Sequence, residues 1–187
     1  IYDPENLTSQ SMAERFSPLQ LLLVAGLLLP LVEEVGFRLS LRFRPIYLAM
    51  SSSVFLYYIL TKAVFQTKVS AVDDSFLVRV VAAILLGLLL YPLVHHVPVR
   101  QRLTQFWEDN FRWIYYASCL VFAWIHLSKY EIIWLNIVLL PLLTLPQLMT
   151  GIISGYTRVK FGFAYPLCFH MGPNTLAISL SFLPFAD

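Results

Sequence analysis

The 187 residues are 58% hydrophobic and only 13% charged, with a mean hydropathy of +0.70, more apolar surface than a water-soluble fold can hide. The formal charge of +2 comes from Arg and Lys scattered singly, with no run and no basic helix, which excludes nucleic acid as a partner. Cys119 and Cys168 lie apart in apolar stretches without CxxC spacing, which excludes a disulfide framework and a thiolate metal centre.

Residues 1–17 are polar, lack the basic, apolar and small-residue order of a signal peptide, and precede a single domain over residues 18–187. The first apolar segment opens at Pro18, a residue suited to a first helical turn, and runs through Glu33 and Glu34 to Arg42 and Arg44, where Pro45 ends it. The second, about Ile46 to Gln66, carries polar groups (Ser51 to Ser53, Tyr57, Tyr58) that a bundle interior can satisfy. A polar loop over 67–75 leads to the third, Phe76 to His95, apolar except for Arg79, which is expected to snorkel. The stretch around Arg100, Arg102, Glu108, Asp109 and Arg112, interleaved with Phe106, Trp107, Phe111 and Trp113, reads as a wet, interfacial amphipathic connection. A fourth segment covers about Phe111 to Leu127 and closes on residues 128–131. A fifth, about Ile132 to Tyr156, should kink at Pro141 and Pro146, and a sixth spans Phe161 to Phe185. The composite expectation is an all-α, polytopic helical bundle of about six transmembrane helices around a polar intramembrane cavity, an integral multi-pass protein in a lipid bilayer. A slight excess of Arg and Lys puts Arg42, Arg44, Arg100, Arg102, Arg112, Arg158 and Lys160 on the cytoplasmic side.

Charges at membrane depth are costly and mark function. Glu33 and Glu34 are consecutive on a helix, so their side chains diverge by about 100° and serve different partners. Glu34 and Arg38, at i and i+4, are expected to pair as structural support. That leaves Glu33 on the adjacent face as the candidate general base. His126, with Phe122 one turn back, is the titratable residue of its segment and can hold a water together with Glu33. His170 and Asn174, at i and i+4, offer an imidazole and a carboxamide suited to an oxyanion hole, although Pro173 should bend the helix between them. His95 and His96 beside the wet stretch read as solvated. In a strictly alternating six-helix layout Glu33 and His170 share a depth, whereas His126 falls nearer the opposite face.

The order EExxxR (Glu33, Glu34, Arg38), FxxxH (Phe122, His126) and HxxxN (His170, Asn174) resembles the CPBP family of CAAX proteases and bacteriocin-processing enzymes, also called the Abi family, over nearly the whole chain. The resemblance implies an intramembrane endopeptidase related to the Ras-converting CAAX enzyme, in a cell membrane of prokaryotic type, acting on peptide or protein substrates in or at the membrane. Glu33 with His126 would activate water, His170 and Asn174 would stabilise the oxyanion, and Glu34, Arg38 and Phe122 would support the site. Members have been described as metalloproteases, so two versions follow: a glutamate-driven mechanism that requires no cofactor, and a zinc-dependent one with Glu33, His126 and His170 as ligands. The chain departs from the family's spacing in that two segments separate the first motif from the second. Ala49 to Ile59 itself resembles the helix that normally carries the second motif, with Phe55 in place and Ile59 where His would stand. Two other readings compete: a non-catalytic family member that scaffolds or regulates a membrane partner in envelope maintenance or peptide self-immunity, and a small proton-coupled carrier, for which the inverted repeats of transporters are missing.

Overall fold

A computed structural model describes residues 7–129 and 134–183, which form helices joined by short turns. Three of these helices, Pro18–Leu41, Pro45–Val64 and Phe76–His95, are long and apolar enough to cross a membrane, in agreement with the first three expected segments. Less than a quarter of each is buried within the protein; residues such as Leu19, Leu77, Leu88 and Leu89 point outward. An apolar exterior of this extent is stable against lipid rather than water.

The later part of the chain departs from six equal spans. The expected wet connection and fourth segment are one continuous helix, Val97–Ile125, whose charged residues Arg100, Arg102, Glu108, Asp109 and Arg112 are all exposed and so do not interrupt it. The fifth segment is broken near its prolines into Trp134–Val138, Leu140–Leu143 and Leu145–Phe161, because Pro141 and Pro146 donate no hydrogen bond and each opens a new helix in its first turn. The last helix, Ala164–Leu180, continues through Pro173. Tyr130, Glu131 and Phe185, expected as segment ends, lie outside the described residues. The short helix Leu7–Arg15 buries Met12 and bonds through Arg15 Nη2 to Ser70 Oγ at 3.1 Å.

Close approaches set the packing. A Cβ on Gly36 would lie 2.9 Å from Val54 Cγ1, which seats the first span on the second, and Gly87 abuts Ser53, which seats the third on the second. In the first span the backbone widens to a π-helix over Leu22–Leu28 just ahead of Pro30. Pro30 has no N–H, so the Gly26 carbonyl one turn back lacks its α-helical donor; Thr175 Oγ1 of the last helix supplies one at 3.4 Å. The proline thus creates the acceptor by which the last helix docks on the first.

Buried arginines do similar work. Arg79, expected to snorkel, is fully buried and donates to Tyr57 Oη, Thr61 Oγ1, Ala71 O and Asp73 Oδ1 at 2.9–3.2 Å, fastening the loop 67–75 to the second and third spans. Arg158, read from sequence as a loop residue, is buried within Leu145–Phe161 and donates to the carbonyls of Arg38 at 3.2 Å and Leu39 at 2.9 Å. It adds a donor to the last carbonyls of the first span, where the dipole also favours a cation.

Candidate active site

The residues singled out from sequence come together. The carboxylate Oε2 of Glu33, on the first span, lies 3.8 Å from His126 Nε2 and 3.7 Å from His170 Nε2. His126 terminates the helix Val97–Ile125 as its C-cap, and His170 sits in the first half of the last helix. A cavity of about 380 Å³ is lined by Glu33, Phe122, His126, His170 and Asn174, so the carboxamide of Asn174 faces the same space, one helical turn beyond His170.

Hydrogen bonds on the far side of each imidazole fix which nitrogen faces Glu33. His126 Nδ1 lies 2.8 Å from the carbonyl oxygen of Phe122; since a carbonyl only accepts, Nδ1 carries a proton and donates it. His170 Nδ1 lies 2.9 Å from Glu34 Oε1, where the partner is a carboxylate. The two histidines therefore have the same ring placement and different second partners, one neutral and one anionic.

Glu34 and Arg38 are both almost wholly buried. Their expected i, i+4 pairing exists as an ion pair at 3.6 Å between Glu34 Oε1 and Arg38 Nη1, while the hydrogen bond of Glu34 goes to His170. Glu34 is thus part of the site as well as a structural partner. Arg38 finds its closest support elsewhere: its Cζ lies 3.6 Å from the centre of the Phe122 ring, a desolvated cation–π contact. Phe122 accordingly holds Arg38 with its ring and His126 with its carbonyl, a physical reason for an aromatic residue one turn before the histidine. Among the described residues, Glu34 Oε2 and both terminal nitrogens of Arg38 have no hydrogen-bond partner; buried groups of this kind are met by ordered water.

The depth conflict for His126 resolves through the long helix. Trp107 Nε1 donates to Ser40 O at 2.9 Å, at the end of the first span, and Ser118 Oγ donates to Phe37 O. The helix therefore begins well beyond that end and reaches the level of Glu33 only at its last residue. Phe55, at the alternative second-motif position, packs edge-on against Phe37 with ring centres 4.9 Å apart, and Ile59 is exposed at 56%, so that position offers no imidazole to the site. His95 and His96 are exposed, as expected, and away from the cavity. The residue that sequence reasoning missed is Arg158, which holds the backbone of Arg38 itself; a basic residue four turns into an amphipathic helix carries no local sign of where it points.

Zinc was one of two expectations for Glu33, His126 and His170. Among the described residues no three His, Cys, Asp or Glu side chains are grouped closely enough to hold a metal ion.

A second, larger cavity of about 710 Å³ adjoins the first and shares Glu33 and His126 with it. Its walls are largely apolar, including Phe37, Phe55, Val121 and Trp124. No protein-family model, curated protein or solved structure matches this chain.

Proposed function

We propose that this chain is a multi-pass integral membrane endopeptidase in which Glu33 is the general base. The observation that carries the reading is one carboxylate oxygen within 3.8 Å of two imidazole Nε2 atoms, each imidazole being held from behind by a different acceptor. These separations are too long for direct hydrogen bonds and short enough for one water to touch all three groups.

Charge accounting assigns the roles. In a low-dielectric interior Glu33 and Glu34 bring two negative charges and Arg38 one positive, and an uncompensated buried charge is costly. His170, in contact with both carboxylates, is the residue that carries the balancing proton, and it donates through Nδ1 to Glu34 and through Nε2 into the cavity. His126, whose Nδ1 donates to the Phe122 carbonyl, is assigned the neutral form with the Nε2 lone pair toward Glu33. A water held between Glu33 Oε2 and His126 Nε2 attacks the peptide carbonyl carbon while Glu33 takes its proton. The resulting oxyanion accepts from His170 Nε2 and the Asn174 amide, a pair of preorganised donors of the kind that contribute about 3 kcal/mol each. Glu33 then passes its proton to the departing amine as the C–N bond breaks.

Replacing Glu33 with Gln should abolish cleavage while the protein folds and inserts as before. The decisive measurement compares the proteins and peptides that accumulate in membranes with wild-type and with Glu33→Gln enzyme; identical profiles would refute the reading. Elemental analysis and chelation of active protein separate the two versions of the chemistry. Activity without bound zinc agrees with the steps above, and loss on chelation replaces them.

A further inference from the structure

The larger cavity differs from the site in its charges. Apart from Glu33 and the phenol of Tyr58, its ionisable lining is Arg15, Lys62 and Lys68, alongside His126. The three cations come from three separate elements, the short helix Leu7–Arg15, the second span and the loop 67–75. Arg15 and Lys68 are held in place by neutral serines, Arg15 by Ser70 and Lys68 by Ser11. Lys62 and Lys68 are close enough to repel each other. Among the described residues none of the three lies in an ion pair. The loop that carries Lys68 is itself pinned by the buried Arg79, so the position of this cation is fixed by the fold.

Resting on the proteolytic reading above, we propose that the larger cavity receives the apolar part of the substrate and that Arg15, Lys62 and Lys68 select substrates with a carboxylate flanking that part. Charge complementarity carries the assignment. Cations that face an apolar cavity without acidic partners attract an anion, and charge-assisted hydrogen bonds to it are about twice as strong as neutral ones. Glu33 at the other end repels the same carboxylate. The two effects act together, hold the anion at the cationic mouth, and set the direction in which the chain lies across Glu33. A carboxylate comes from an Asp or Glu side chain or from a chain terminus; the chemistry is shared and the experiment separates the sources.

The test uses the full chain in lipid nanodiscs with the Glu33→Gln substitution, so that binding is read without turnover. The probes are dye-labelled short Leu/Val peptides of four kinds: flanked by Asp with an amidated end, flanked by Asn with an amidated end, uncharged with a free carboxyl end, and uncharged with an amidated end. The expected result is at least tenfold tighter binding of a carboxylate-bearing peptide than of its neutral counterpart. The Asp and free-end peptides report which source is preferred. The advantage should shrink in Lys62→Gln and Lys68→Gln and disappear when Arg15→Gln is added, and Lys62→Glu with Lys68→Glu should shift preference toward Lys-flanked peptides. Equal binding of charged and neutral peptides, or a carboxylate preference untouched by these substitutions, overturns the proposal. Cleavage of the same peptides by the wild-type chain is scored separately. Cleavage without a carboxylate preference refutes the selection while leaving the protease reading intact, and tight carboxylate-dependent binding without cleavage of any peptide refutes the protease reading while leaving the cationic mouth as a ligand site.

Discussion

Phe122 is the side chain on which two polar groups depend at once. Its ring faces the Arg38 guanidinium at 3.6 Å, and its carbonyl accepts from His126. Leucine at this position would keep the carbonyl and lose the ring. Phe122→Leu is therefore expected to lower stability by about 2 kcal/mol, the scale of a desolvated cation–π contact, and to reduce activity further by releasing Arg38; thermal unfolding in detergent and peptide turnover measure the two effects. Glu34→Gln should reduce turnover as well as yield, because its oxygen at 2.9 Å from His170 Nδ1 supports the proton on that ring. A variant with full activity and only lowered yield would return Glu34 to a purely structural role. The residues of the site were legible in the sequence because a charged or imidazole side chain in an apolar run has few reasons to be there. The second partner of Glu34 was not legible, since His170 is 136 residues away.

At the scale of the helix, the contact between Leu145–Phe161 and Val97–Ile125 is made by small residues, which let backbones come close where lipid supplies no hydrophobic drive between helices. A Cβ on Gly155 would sit 2.8 Å from Tyr115 Cε2, whereas one on Gly151 would meet its nearest neighbours at an ordinary 3.5 Å. Gly155→Ala is expected to cost about 1–3 kcal/mol by overpacking, and Gly151→Ala to be tolerated, as judged by unfolding temperature. Gly162 acts differently: its φ of +113° belongs to a backbone region that side chains avoid, with no neighbour near a Cβ, so Gly162→Ala is expected to cost about 1–3 kcal/mol through the backbone alone. Spans one to three were readable because proline and polar loops bound uniform apolar runs. The rest was obscured by two ambiguities. Charges interleaved with aromatic residues look alike in a wet loop and on the exposed surface of a long helix, as in Val97–Ile125. A lone arginine in an apolar stretch looks alike whether it reaches out to water or, like Arg79 and Arg158, inward to carbonyls.

For the whole molecule, the loop 67–75 is a joint held by ionisation. Hydrogen bonds from Ser75 and Thr67, with the charge of Arg79 nearby, hold the Asp73 carboxyl below the usual carboxylate range. A carboxylate whose folded-state pKa is depressed stabilises the fold above its unfolded value of about 4, and that contribution fades as pH falls through the folded value. Wild type is therefore expected to unfold at a higher temperature than Asp73→Asn at pH 7, with the gap narrowing steadily below about pH 4; a gap independent of pH would show that the contact is not ionic. The polar contacts that complete the site bridge the two ends of the chain. Arg158 reaches the carbonyl of Arg38 across 120 residues, and His170 reaches Glu34 across 136. During synthesis, Glu33, Glu34 and Arg38 are made first, and the helices that carry Arg158 and His170 are made last. On the proteolytic reading proposed above, a nascent chain would gain its hydrolytic centre only when the last helix is in place.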